Sequence, residues 1–284
     1  MAELKHNINY PIAKNHQIIQ ILPQFKPIKR GARKKGVERV YSSQDGRYKA
    51  KIKMFKELDI ADQDLLLTIL AIALPVKRGS IINEETKHQD LWKKLAIKQD
   101  DTNQDITSIM IETTPFELLK ELNKNTGKKD YLWLLESLER LSDTTLLFDT
   151  PEFIGSTNLL SFYLHKETKK LLIAINPLNA LVLMNDKKGY ILNNRIERLQ
   201  LKSDVAKALH SVLLTLIDNK QSKTFSLDTF VEKVYLSTIE EMTSQARKDS
   251  RRSIKNALMK INELKNWDIT IHSNKTVTIK RIYN

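Results

Sequence analysis

The sequence predicts an α+β protein made of two winged-helix domains in tandem. Two observations predict it. The order helix, turn, helix, strands begins at Thr114, and a more compact version, three helices followed by a hairpin, occupies 203–281. Glycine and proline are also scarce, seven of each in 284 residues, which leaves little chain for phosphate-cradling loops or disordered linkers. The predicted organisation is a basic N-terminal arm over 1–36, a first winged-helix domain over 37–178 and a second over 179–284.

The elements follow in order. KPIKRGARKKGVER, Lys26–Arg39, holds seven bases, one acid and two glycines, and reads as a flexible arm able to lie along phosphates or in a minor groove. ERVYSSQDGRYKAKIK carries Asp45-Gly46, a strong local hairpin signal. LLLTILAIALPV, Leu65–Val76, is too short to span a bilayer and reads as a buried helix. The polar stretch 82–105 reads as an irregular excursion of the first domain.

Thr114 can cap a helix whose first position is Pro115. After a turn with Gly127, DYLWLLESLERL sets Leu132, Leu135, Leu138 and Leu141 on one expected stripe. β-prone stretches follow at Thr144–Phe148, Leu159–Leu164 and Lys170–Ile175, the last two joined by HKET as a hairpin. In the second half, Ser203 and Ser226 are expected caps of two helices, and Ser244 opens a long third. WDITIHSNKTVTIKR alternates like two strands around Ser273–Asn274.

The charge is placed unevenly. Of a net +13, residues 1–56 carry 14 Lys/Arg against 3 acids and residues 244–281 carry 10 against 3; the remainder is mildly acidic. Basic surfaces flanking an acidic body point to a polyanion, with nucleic acid ahead of an acidic membrane surface because no helix pairs a basic face with exposed aromatics. The absence of cysteine excludes disulfides and thiolate metal sites and fits a reducing cytoplasm, and the start lacks a signal-peptide core.

Enzyme chemistry finds little footing. Gly127–Lys129 lacks the upstream glycine of a phosphate loop, where Leu122 stands instead. His6, His16, His88, His165, His210 and His272 form no short-spaced metal pair. No catalytic residue, cofactor or metal is expected.

In the long third helix, Ile254, Ala257, Leu258, Ile261 and Leu264 fall at helical spacing and must face a core. Arg247, Lys248, Arg251, Arg252 and Lys255 occupy a sector displaced by roughly 100°. A helix anchored by its C-terminal part and basic at its N-terminal part is the arrangement that enters a major groove. Arginine suits guanine edges and Gln245 suits adenine, whereas lysine and serine mostly hold phosphates. Lys275 at the hairpin tip, with Lys280 and Arg281 behind it, is placed to touch the neighbouring backbone; an ordinary solvated face is the alternative. The first domain's equivalent helix has Tyr131, Trp133 and Leu134 at its start and Lys124, Lys128 and Lys129 in the turn before it, which suits phosphate contact or packing against a partner equally.

These blocks bear a family resemblance. IKRGARKK before a DG hairpin, DIADQDLLLTILAIA, LKELN with LLESLERL, LLIAINPLNALVLM, YILNNRIERLQLKSDVAKALHSVLLTLID and SQARKDSRRSIKNALMKINELKNWDITI are similar, in order and spacing, to RepC, the origin-binding initiators of IncQ-type plasmids. The resemblance covers nearly the whole chain. It implies a non-catalytic replication initiator that binds double-stranded direct repeats (iterons), promotes opening of adjacent A·T-rich DNA and permits loading of a replicative helicase, with copy control as a further expectation; a homodimer through the first domain is an expectation from the residues of that domain's helix. It assigns base reading to Gln245, Arg247, Lys248, Ser250, Arg251 and Arg252. Supporting contacts fall to Lys255, Lys275, Lys280, Arg281, Lys128, Lys129 and the arm residues Lys29, Arg30, Arg33, Lys34 and Lys35. A winged-helix transcription regulator on an operator is the other reading of the same architecture.

Overall fold

Apolar side chains gather into two cores, one drawn from Ala13 through Leu183 and the other from Leu201 through Ile279 with Ile60 added. The computed structural model describes residues 4–29, 31–43, 49–74, 79–82, 108–149, 154–184 and 189–282.

The chain opens with β1 (Ile12–His16) and α1 (Gln17–Ile21), then β2 (Lys35–Ser42) and β3 (Lys49–Lys56). Next comes α2 (Ile60–Ala73), capped by Asp59, whose side chain accepts from the Asp62 N–H while Asp62 reciprocates. Its residues are buried from Asp62 to Ala73, so the helix is covered on every side and sits centrally. β4 (Gly79–Ile82), β5 (Ser108–Thr113), α3 (Pro115–Glu121) and α4 (Lys128–Ser142) follow. Thr114 caps α3 through the Glu117 N–H, with Pro115 in the first turn. β6 (Thr144–Asp149), β7 (Ile154–Asn158), β8 (Leu160–Leu164), β9 (Leu171–Ile175) and α5 (Pro177–Met184) complete the first core. Its strands form two antiparallel sheets, β2-β3-β6-β7 and β4-β5-β9-β8.

The second half contains β10 (Tyr190–Asn194), α6 (Arg195–Gln200), α7 (Asp204–Leu216), β11 (Ser222–Ser226), α8 (Leu227–Tyr235), α9 (Ser244–Asn262), β12 (Trp267–Ile271) and β13 (Thr276–Arg281). The last two strands pair around the expected turn, and β11 joins them in the order β11-β13-β12. Ser203 and Ser226 cap α7 and α8 as the sequence predicts.

Three expectations change. Residues 1–36 are not a detached arm: β1 pairs with β10, with Ile12 opposite Asn194, and Ala13, Lys14 and Asn15 are buried. The leucine stripe of α4 is Leu134, Leu138 and Leu141, while Leu132 is 53% exposed. A strict three-residue repeat slips about 60° per step around a helix of 3.6 residues per turn, so Leu132 and Leu141 face opposite ways. The first core also extends past residue 178, because Ala180 and Leu183 of α5 pack into it. The Asp45-Gly46 turn and residues 83–105 of the excursion lie outside the described residues.

Buried ion pairs join the halves. The Asp64 carboxylate on α2 takes Arg198 Nε at 2.5 Å and Lys207 Nζ at 2.5 Å, and Arg198 Nη2 reaches Gln63 Oε1 at 2.8 Å. Arg195 Nη1 meets Glu121 Oε2 at 3.1 Å and its Nη2 donates to Thr68 Oγ1 at 3.0 Å. Burial alone would raise the Asp64 carboxyl, but Lys207 and Arg198 hold it below the usual carboxylate range. Each charge is desolvated and matched, so the second half is fixed against α2.

Candidate nucleic-acid interface

Helix α9 is divided along its length. Ile254, Ala257, Leu258 and Ile261 are buried in the second core, as is Leu264 just beyond; Arg247, Lys248, Arg251 and Arg252 precede them, and Lys255 and Lys260 lie among them on the exposed side. Thr243 caps the start by accepting from the Ala246 N–H at 3.2 Å. The N-terminal half therefore stands out from the core on a rigid helix, with the positive end of the helix dipole beneath it.

The basic residues of this half differ in freedom. Lys248, Arg252 and Lys255 are exposed. Gln245 is exposed and donates through Nε2 to Asp249 Oδ2 at 2.9 Å. Arg247 turns back, its Nη2 donating to the Ile239 carbonyl at 2.7 Å. Ser250 is half-buried and, with Ser253, lies near the Tyr235 hydroxyl. Arg251 engages Asp228 of α8 with both arms. The Asp228 carboxyl lies below its ordinary range because Arg251 donates to it, with Arg247 and Lys275 adding positive charge nearby.

The hairpin tip joins this group. The Leu227 N–H, at the start of α8, donates to the Lys275 carbonyl at 2.9 Å. Lys275 is exposed and left-handed, φ 65°, and Asn274 Oδ1 organises the turn by accepting from the Thr276 N–H at 3.2 Å. Gln245, Lys248, Arg252, Lys255 and Lys275 thus form an exposed polar and basic surface around the Arg251–Asp228 pair. Lys280 and Arg281 are not at the tip: they lie opposite Asp268 and Trp267, about 17–20 Å along β13 at ~3.4 Å per residue. The Arg281 guanidinium sits 5.7 Å from the Trp267 ring.

In the first half Lys128 and Lys129 are exposed at the start of α4, whose N-cap, Gly127, makes no side-chain capping bond. Lys124 instead lies 4.0 Å over the Trp133 ring. Of the segment read as an arm, Lys29, Lys34 and Lys35 are exposed and Arg30 lies outside the described residues. Arg33 is inside an ion network, with Nη1 at 3.0 Å from Asp62 Oδ2 and Nη2 on Asp59. Asp62 also takes Arg140 Nη2 at 2.7 Å.

Asp228 is the residue that sequence reasoning missed. A lone aspartate in the first turn of a helix reads as a favourable dipole contact, and nothing in its spacing points 23 residues onward to Arg251. Among the described residues no group of three or more His, Asp or Glu gathers as metal ligands, and no helix is long and apolar enough to cross a membrane.

A family model described as Replication protein C (RepC) matches residues 4–282. The fold resembles the crystal structure of domains 2 and 3 of RctB, with TM-score 0.56 and 10% identity over 90% of this chain and 94% of that one. It also resembles the Pi initiator protein in complex with iteron DNA, with TM-score 0.55 and 9% identity over 98% and 99% of the two chains. A comparison with curated proteins finds no match.

Proposed function

This chain belongs to the replication protein C family, and from that premise we propose that it is a plasmid replication initiator that binds direct repeats at an origin. Both halves are read as winged-helix domains: the second has three helices and a hairpin, and the first has α3 and α4 followed by strands. Support for repeat DNA as the ligand comes from the Pi initiator, which has a similar fold and is described bound to iteron DNA.

The observation that carries the reading is the two-sidedness of α9, whose stripe Ile254, Ala257, Leu258 and Ile261 is buried while Gln245, Lys248, Arg252 and Lys255 are exposed. In a major groove, Gln245, Lys248 and Arg252 meet base edges and phosphates directly. Arg251 joins them by exchanging Asp228 for DNA, while Arg247 and Ser250 hold the start of the helix in place. Lys255 and Lys275 take flanking phosphates. Lys128 and Lys129, with Lys29, Lys34 and Lys35, supply a second set of sequence-independent contacts. Exposed Phe116 and Leu132 on α3 and α4 support a homodimer through the first half.

Opening of A·T-rich DNA and helicase loading follow from bound copies bending the duplex, without hydrolysis. The test is titration of duplexes carrying one, two or three direct repeats. An initiator gives one shifted species per repeat. A regulator gives a single species on an inverted repeat.

A further inference from the structure

The sheet β2-β3-β6-β7 buries one face and leaves the other bare. Ala50, Ile52 and Met54 of β3 face the core with Leu146 and Phe148 of β6. The alternate residues Lys49, Lys51, Lys53 and Phe55 project to the opposite side, about 6.7 Å apart at ~3.3–3.4 Å per residue. Phe55 is 60% exposed. The register sets Lys35 opposite Lys56 and Val37 opposite Met54, so Phe55 faces Gly36, and β6 pairing stops at Met54, which leaves most of the ring open. Val40 and Ile154 flank the lysines, also exposed. Lys51 pairs with Glu38 at 2.6 Å; Lys49 stands opposite Asp149 and Lys53 opposite Glu38 in the register, yet neither lysine has an ion-pair partner among the described residues.

We propose that this face binds single-stranded DNA. A row of lysines with an uncovered aromatic ring at its end is the chemistry by which proteins hold single strands: cations follow the backbone and the ring stacks on a base. Duplex DNA offers the ring nothing, because its bases are already stacked. A second copy of this chain, docked face to face, would set one row of lysines against another. Thermodynamics supplies the role. A protein that hydrolyses nothing holds a duplex open only by binding the separated strand better than the closed form. That role rests on the initiator reading; the binding itself does not.

The test uses the full chain and a fluorescein-labelled oligothymidylate longer than the ~4–16 nucleotides of a typical single-strand site, read by anisotropy. The wild type binds and Phe55→Trp keeps affinity, while Phe55→Leu, which keeps an apolar side chain there, binds about tenfold more weakly. Replacing Lys49 and Lys53 together by glutamine lowers the log–log salt slope by about 1.4, from ~0.7 per contact. Binding to repeat duplex is unchanged in all three. Wild-type affinity in Phe55→Leu, or equal losses on oligonucleotide and duplex, overturns the proposal. Loss of self-association by sedimentation in Phe55→Leu, with oligonucleotide binding intact, gives the face to a second copy instead. Failure of the wild type to bind repeat duplex removes the initiator reading and leaves the oligonucleotide result standing.

Discussion

Arg251 grips Asp228 with both arms of its guanidinium, Nε to Oδ1 and Nη2 to Oδ2, each at 2.6 Å. The pair ties α9 to the first turn of α8 at the centre of the basic surface. Both side chains are partly solvated, so it contributes little to stability. In the proposed interface its larger effect would be on binding, because it sets a carboxylate beside an arginine assigned to DNA.

Asp228→Asn therefore tightens DNA binding several-fold and steepens the salt dependence by about 0.9 as Arg251 takes a phosphate. Anisotropy titrations from low to moderate salt measure both. Weaker binding would mean that Asp228 positions Arg251 for DNA.

Arg252 is the exposed guanidinium of the helix. Arg252→Ala costs roughly 1–3 kcal/mol on repeat DNA and less on random duplex. Equal losses on the two would move Arg252 to the phosphate class.

Exposed Lys34 and Lys35 contact only backbone in this account. Replacing both by alanine weakens repeat and random duplex alike and flattens the salt slope by about 1.8. An unchanged slope would make them bystanders.

Asp64 holds Arg198 and Lys207 where the two halves meet. Asp64→Ala leaves the buried Arg198 charge with only neutral partners and destabilises the fold by about 3–5 kcal/mol. Urea unfolding followed by circular dichroism reads the loss; a change below 1 kcal/mol would show that water compensates Arg198.

Two histidines give the fold an acid limit. His16 caps α1 by accepting from the Ile18 N–H at 3.2 Å, and burial lowers its pKa from 6.5 to about 4. His210, wholly buried against Glu197, is shifted the same way by burial. The unfolded chain binds these protons more readily, so their contribution is complete above about pH 6.5 and is lost as pH falls toward 4. His16→Asn keeps an acceptor at the cap and removes the titration. Unfolding midpoints between pH 7.5 and pH 5 should decline less in that variant; an equal decline would assign the acid sensitivity elsewhere.

Local features were legible in the sequence where one side chain decides the outcome. Thr114, Ser203 and Ser226 announce helix starts because capping is a contact three residues away. The α9 stripe from Ile254 to Ile261 announces its buried face because it alternates three- and four-residue steps, which the uniform spacing of Leu132 to Leu141 does not. Long-range partners were not legible. Nothing in INYPIAKNH says that Ile12 pairs with Asn194, or that Arg33 in a basic run ends between Asp59 and Asp62. KAKIKMFK shows its alternation openly, yet only the position of β2 and β6 beside it reveals that Phe55 is uncovered. The α9 surface was anticipated in composition, but the division between exposed Arg252 and paired Arg251 depends on Asp228 across a helix boundary.

The role proposed for α9 and the hairpin tip is to read repeated DNA. A protection footprint of the full chain on the DNA flanking its own gene, at moderate salt, tests it most directly. Several evenly spaced protected repeats beside an A·T-rich tract are expected, with a log–log salt slope near −5 for about six neutralised phosphates per site. A single palindromic footprint, or none, would contradict it.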